Sequence, residues 1–332
     1  MQVRKLKMSM IQDNNFPEAY EVSSLKTNDG HEIYYEVVGD PDGLPIVFLH
    51  GGPGSGCQKS HRDLFNFKKI KVVFIDQRGA GKSLPKRGLI NNTTSFIIND
   101  IEKIRKKLKI NKWMVVGGSW GSTLALAYAQ IYPKNIIGMV VRSVFLGTKN
   151  EIEWAFTNSA KLFRPDLWDS WNNLAIKDNF GSNAINFYGS KLDSKDKFSS
   201  ELAALIWANY ESVLSQVDGE KNKIPESFNK KFFGENMLKP NTPYIEWHFI
   251  KNNFFLEDNQ LLRNAYKLNG IPGIIVQGRY DLLCPPINAF NIAEKWKDAN
   301  LIFVDDAGHT SNTGPMRETL IDAINSLVDK IR

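Results

Sequence analysis

A serine flanked by glycines, Gly117-Gly118-Ser119-Trp120-Gly121, stands between the apolar run Trp113-Met114-Val115-Val116 and the helix-like stretch Ser122-Thr123-Leu124-Ala125-Leu126-Ala127-Tyr128-Ala129. An apolar run before G-x-S-x-G and a helical pattern after it put the serine on a sharp strand-to-helix turn, with its hydroxyl exposed above a sheet edge. Glycines at both ends let the backbone make that turn unobstructed. Ser119 is therefore the expected nucleophile. A serine hydroxyl also needs a base to take its proton and a third group to orient that base. Two later apolar runs end in polar loops that supply them: residues 274–281, ending at Asp281, and residues 301–309, ending at His309.

The order Ser119, Asp281, His309 is the one that α/β-hydrolases use. Such chemistry also needs donors for a developing oxyanion. The sequence His50-Gly51-Gly52-Pro53-Gly54 follows the apolar run 46–49 and leaves backbone N–H groups uncovered. Gly52 is favoured over Gly51 as one donor, and the N–H of Trp120, next to the nucleophile, is expected as the other. Among the five histidines, His309 alone follows both a strand run and the orienting aspartate. His50 is expected to support the glycine loop, His31 and His61 to be structural or superficial, and His248 to stand where it can face the pocket.

Competing chemistries fail on spacing. Gly81-Lys82-Ser83 resembles the end of a phosphate loop, but the position of that motif's first glycine holds Asp76. There is no H-E-x-x-H, no cysteine and histidine cluster and no G-x-G-x-x-G after a strand run, so neither a metal nor a nucleotide cofactor is implied.

The elements that position these residues follow from apolar periodicity. Strand runs are expected at 33–38, 46–50, 72–76, 114–117, 137–141, 274–277 and 301–304, with helices at 94–108, 123–131, 287–297 and 316–331. Such alternation predicts an α/β fold, a mostly parallel sheet with helices on both faces. Residues 148–269 interrupt it with a helical pattern carrying five of the eight tryptophans, Trp154, Trp168, Trp171, Trp207 and Trp247. An insertion there overlies the carboxyl edge of the sheet, where ligands bind. It is expected to be a cap, bounded near Gly147 and Gly270, that splits the main domain into 1–147 and 270–332. Most of its tryptophans are expected to fill the cap's own core.

Composition sets the class. With 332 residues, 42% hydrophobic and 23% charged, the chain reads as an ordinary globular protein. The net charge of +6 is dispersed, and its densest run, 103–109, reads as a solvated helix face, so nucleic acid is not an expected partner. The longest apolar stretch, 136–146, is too short to span a bilayer and contains Arg142. No signal peptide is visible over residues 1–16. Two cysteines, Cys57 and Cys284, make no disulfide framework, so a cytoplasmic protein is expected; both read first as small buried residues, with one thiol near the pocket as the alternative.

Four stretches together closely resemble proline iminopeptidases: His50 through Cys57, Asp76 through Ser83, Gly117 through Gln130, and Gln277 through Pro285. The resemblance runs from about Phe16 to the C-terminus and includes the cap. It implies a serine aminopeptidase of the α/β-hydrolase fold that releases an N-terminal proline from small peptides without a cofactor. It implies Ser119, Asp281 and His309 as the triad. It further implies Glu211 and Glu246 as amine-binding glutamates, Arg142 as a pocket arginine, and Phe145 and Phe156 as aromatic residues that receive the proline ring. Ala80 stands where the family usually has cysteine, Tyr210 where it has tryptophan, and Trp247-His248-Phe249 where it has Asn-His-Tyr. These departures touch the pocket lining rather than the triad. The alternatives are an esterase or lactonase on the same scaffold, or a non-catalytic binding protein that retains the shell.

Overall fold

The structure, a computed structural model, describes residues 17–178, 180, 183–217, 224, 240–312 and 314–332; the stretch 1–16 lies outside them. Its strands are β1 (Ala19–Lys26), β2 (Glu32–Gly39), β3 (Leu44–Leu49), β4 (Ile70–Ile75), β5 (Trp113–Ser119), β6 (Ile136–Val144), β7 (Gly273–Gly278) and β8 (Ala299–Val304). They form one eight-stranded sheet in the order β1-β2-β4-β3-β5-β6-β7-β8. From β4 to β8 the pairs are parallel, while β2 runs antiparallel to β4 and β1 antiparallel to β2. The seven expected runs correspond to β2 through β8. The edge strand β1 is additional: its Ala-Tyr-Glu-Val-Ser-Ser-Leu-Lys sequence buries no residue fully, so it offers no apolar run to detect.

Helices α1 (Thr94–Lys107) and α2 (Trp120–Ile131) follow the first strands. Between β6 and β7 come α3 (Lys149–Glu153), α4 (Ser159–Phe163), α5 (Pro165–Lys177), α6 (Ala184–Leu192), α7 (Lys197–Leu214), α8 (Thr242–Lys251) and α9 (Gln260–Arg263). Helices α10 (Pro286–Lys295) and α11 (Gly314–Ile331) complete the chain. One face of the sheet packs its Val47, Val73 and Val115 against Ile97, Leu124 and Ile292 of α1, α2 and α10. The other packs Phe48, Phe74 and Val116 against Leu320, Ile324 and Leu327 of α11. A sheet covered on both faces has no solvent side, which is why its central strands read as continuous apolar runs. Of the basic run 103–109, Arg105 departs from the expected solvated face: it is buried and donates to Glu102 at 2.7 and 2.9 Å, while Lys103, Lys106 and Lys107 are exposed.

The helices between β6 and β7 have a third core, around Phe156, Trp171, Tyr188, Trp207 and Tyr210. Trp171 stacks on Tyr188 with centroids 3.8 Å apart, and Trp171 and Trp207 are fully buried. Trp154, Trp168 and Trp247 are half-buried. Among the described residues, no helix is long and apolar enough to cross a membrane.

Candidate active site

Ser119 closes β5 and stands immediately before α2, with φ 57° and ψ −126°. A positive φ on a non-glycine residue is strained and persists only where the surroundings enforce it. Here they do. A Cβ at Gly117 would sit 2.3 Å from the Gly121 carbonyl oxygen, and one at Gly121 would sit 2.1 Å from that of Leu49, so both glycines are required for β5, α2 and β3 to meet. The Ser122 hydroxyl donates to the Ser119 carbonyl at 2.6 Å and accepts from the Phe145 N–H at 3.0 Å, tying the turn to the end of β6.

The glycine loop follows β3. Gly52 has φ 110°, and a Cβ on it would lie 2.6 Å from the Gly54 nitrogen, so no other residue fits this turn without moving the backbone. Gly52 lines the same cavity as Ser119. Buried His50 supports the loop as expected. Its Nε2 accepts from the Gln77 N–H at 3.1 Å, which leaves the ring proton on Nδ1 to donate to the Gly51 carbonyl at 2.9 Å. Burial lowers the His50 pKa and keeps that ring neutral. Gln77, also buried, donates from its side chain to the His50 carbonyl at 2.8 Å and accepts from the Trp120 indole at 2.8 Å. It joins the glycine loop to the residue after the nucleophile. A buried amide satisfied on both ends fixes geometry, yet nothing in its local sequence marks it.

Asp281 lies after β7 and His309 after β8, both at the carboxyl edge that also carries Ser119 and Gly52. His309 Nδ1 faces the Asp281 carboxylate at 2.9 and 3.0 Å. Asp281 is 1% exposed and accepts from the backbone N–H groups of Leu283 and Cys284 at 3.0 and 2.8 Å. Burial pushes its carboxyl up, but the nearby His309 and these hydrogen bonds outweigh burial and hold it below the ordinary carboxylate value. The proton on Nδ1 leaves Nε2 as the basic nitrogen. The backbone of this loop is anchored too, since the N–H groups of His309 and Thr310 both donate to the Ser215 carbonyl, 3.0 Å away, just past the end of α7.

Ser119, His309, Gly52 and Cys284 line a cavity of about 250 Å³ whose other walls include Phe145, Phe156, Phe254, Glu211 and Glu246. The two glutamates come from α7 and α8 and share a hydrogen bond. Trp207 donates its indole N–H to Glu246 at 2.9 Å. Burial raises the Glu211 carboxyl to about 7, moderated by the hydrogen bond from Glu246. Glu246 is raised further, by burial first and then by the charge of Glu211. Two carboxyls in contact, Glu246 buried and Glu211 half-buried, resist ionising together without a cation, so the pair retains a proton between them. No basic side chain among the described residues pairs with them.

Two expectations are not met, those for Arg142 and His248. Arg142 is not brought into this cavity. It pairs in register with Gly118 on β5, and its guanidinium packs beneath that glycine and lines a separate cavity of about 50 Å³. His248 turns away from the pocket, with Nε2 2.9 Å from the Asn92 carbonyl and its ring against Phe249 and Phe255. Cys57 lies outside the cavity, its thiol 3.4 Å from the Ile75 carbonyl, whereas Cys284 lines it. Phe254 is a wall residue that the sequence did not announce. It belongs to three consecutive residues at φ of 48 to 54°, Asn253, Phe254 and Phe255, a conformation that side chains of this size do not signal. Asp281, Cys284 and His309 offer donor atoms within 4.8 Å of one another, the one such set among the described residues, but the Asp281 and His309 atoms already bond each other.

The chain matches the α/β hydrolase fold family over residues 45–312. A proline iminopeptidase of Arabidopsis thaliana is 40% identical to it over 310 residues, covering 92% of this chain and 79% of that one. A proline iminopeptidase of Xylella fastidiosa strain 9a5c is 39% identical over 319 residues, covering 94% and 99%. Among solved structures, proline iminopeptidase of Mycobacterium smegmatis superposes with a TM-score of 0.61 at 15% identity over 94% of this chain and 98% of that one, a likeness of fold. With an elbow serine, an aspartate-held histidine and that extent of identity, the chain belongs to the proline iminopeptidase family of α/β-hydrolase-fold proteins.

Proposed function

We propose that this protein is a serine aminopeptidase that releases N-terminal proline from peptides by way of a prolyl ester on Ser119. The observation that carries the substrate reading is the Glu211–Glu246 pair, without a basic partner among the described residues, in the cavity that holds Ser119 and His309. An unblocked N-terminal proline offers two N–H groups on a secondary ammonium, which suit two carboxylates, and a small ring, which suits Phe145, Phe156 and Phe254. Binding of that cation displaces the shared proton and lets both carboxyls ionise. A blocked N-terminus brings no charge to offset their desolvation.

The chemistry follows the triad template. Ser119 attacks the first carbonyl as His309 Nε2 takes its proton. The N–H groups of Gly52 and Trp120 receive the oxyanion. His309 then protonates the departing amine, and water attacks the ester with His309 again as base. Asp281 keeps the ring in its tautomer and stabilises the imidazolium. Residues 148–269 act as the cap that reads the chain end, over a body made of 1–147 and 270–332. We place the protein in the cytoplasm, where a reducing poise keeps Cys57 and Cys284 as the free thiols they are. An esterase or lactonase has no use for a buried acid pair, and the reading is therefore not shared with it.

Hydrolysis of arylamides of proline, alanine and N-blocked proline, alongside a short-chain ester, tests this. The proline compound is expected to be cleaved best and the blocked one negligibly. Equal cleavage of the blocked and unblocked compounds would remove the amine-reading role of the pair.

A further inference from the structure

Arg142 and Ser143, at the end of β6, lie outside the catalytic cavity, yet they touch both halves of the base. The Arg142 guanidinium donates from Nη1 to the His309 carbonyl and to the Ser143 hydroxyl, the latter at 3.0 Å. The Ser143 side chain in turn stands beside the Asp281 carboxyl and helps to hold it low. An arginine only donates, so Ser143 accepts from it, which leaves the serine's own hydroxyl proton for the carboxylate beside it. The circuit then closes through the bond between Asp281 and His309 Nδ1. Ser143 is fully buried and holds a φ of 49°, a strained conformation for serine that persists only where the surroundings enforce it. The guanidinium also packs on the nucleophile side, where a Cβ at Gly118 would come within 2.6 Å of Nη2. One side chain thus spans from the backbone beside Ser119 to the backbone of His309.

We propose that Arg142 and Ser143 form a positioning pair that sets the spacing of His309 from Ser119 and the orientation of Asp281, and that Arg142 does not contact substrate. The planar fork of an arginine suits this, because it reaches a carbonyl and a hydroxyl from one rigid group. Asp281 fixes the imidazole ring, Arg142 fixes the main chain that carries it, and the Ser215 carbonyl holds the amide on the other side. The inference rests on the serine-hydrolase part of the proposed function and not on the preference for proline.

The test compares Arg142→Met, Arg142→Lys and Ser143→Ala on an unblocked prolyl arylamide and on a short-chain ester, with kcat, KM and pH profiles. Arg142→Met and Ser143→Ala are expected to lower kcat about 10- to 100-fold on both substrates, with KM for the arylamide unchanged. The acid limb of kcat/KM is expected to move to higher pH in both, since loss of the nearby cation, or of the hydroxyl that stabilises the Asp281 carboxylate, favours the charged imidazole. Arg142→Lys, which keeps one donor, should recover part of the rate. The double variant should cost little more than either single one, as members of one network do. A rise in KM for the arylamide alone, with kcat and ester cleavage intact, would make Arg142 a substrate contact and overturn the proposal. A drop in thermal midpoint with unchanged kcat and pH profile would overturn it as well. Should the wild-type protein cleave the ester but not the arylamide, the prolyl reading fails while the ester arm still decides this one.

Discussion

Asp281 in the sheet-edge loops, and buried Glu246 with half-buried Glu211 on the helices above them, are acids of one site, and their surroundings drive them in opposite directions. Asp281 receives two backbone N–H groups and the His309 ring, and its carboxyl is held low. The glutamates receive one indole N–H and each other, and theirs are pushed up. Desolvation acts in both regions; what differs is whether the described residues supply the partner. The lower region is electrostatically complete before substrate arrives, as a preorganised catalytic apparatus should be. The upper one has no basic partner among the described residues. On the proposed reading, that deficit selects a positively charged chain end.

The sharpest way to test the completeness of the lower region is to remove its charge without its shape. Asp281→Asn keeps the volume but offers Nδ1 a donor instead of an acceptor, so the ring adopts the wrong tautomer. Turnover is expected to fall about 10⁴-fold on arylamide and ester alike, the scale of the same change in other serine triads. A loss confined to the arylamide would mean that Asp281 acts on amine binding, and the division between the two regions would dissolve.

How much of this was legible beforehand follows the same division. Elements that bury one continuous apolar run announce themselves, which is why β2 to β8 and the Ser119, Asp281 and His309 loops could be placed from the chain alone, while β1, half-exposed throughout, could not. The glycines of the elbow were readable because only glycine fits there. Contacts made by side chains far apart in sequence were not. Gln77 reaching Trp120, Ser143 reaching Asp281 and the left-handed Phe254 depend on tertiary packing that leaves no local periodicity. Arg142 shows the limit most plainly: a resemblance identifies a residue, but strand register decides which cavity it enters.

On the upper region, Glu211→Gln separates recognition from chemistry. With one carboxylate gone, the substrate ammonium loses a partner in a desolvated site, a cost of about 3–5 kcal/mol, or roughly 10²- to 5 × 10³-fold in kcat/KM for unblocked prolyl substrates. Ester cleavage should change little. The same variant is expected to unfold at a higher temperature. A carboxyl raised on folding contributes stability below its ordinary range near 4.5, and that contribution is lost as pH rises through about 7. The gain in thermal midpoint should therefore be greatest above pH 7 and vanish toward pH 4.5. Equal losses on both substrate types, or a lower thermal midpoint at pH 8, would mean that Glu211 serves structure rather than recognition.

The smallest effect is also the most specific to an acid pair that waits for a cation. Because an ammonium must displace the retained proton, its affinity should weaken as pH falls below about 7, by up to ten-fold per unit, as for any ligand that competes with one proton. Inhibition constants for prolinamide and for its neutral carbocyclic analogue, cyclopentanecarboxamide, can be compared between pH 5 and 8. The two ligands share shape and amide, so protonation of His309 and general acid effects act on both. Only prolinamide should show the extra slope, and calorimetry in buffers of different ionisation enthalpy should register about one proton released when it binds near pH 6. Parallel profiles for the two ligands, with no proton released, would show that the carboxyls are already ionised in the empty site. The contrast between a completed and an uncompleted buried acid would then have no consequence for binding.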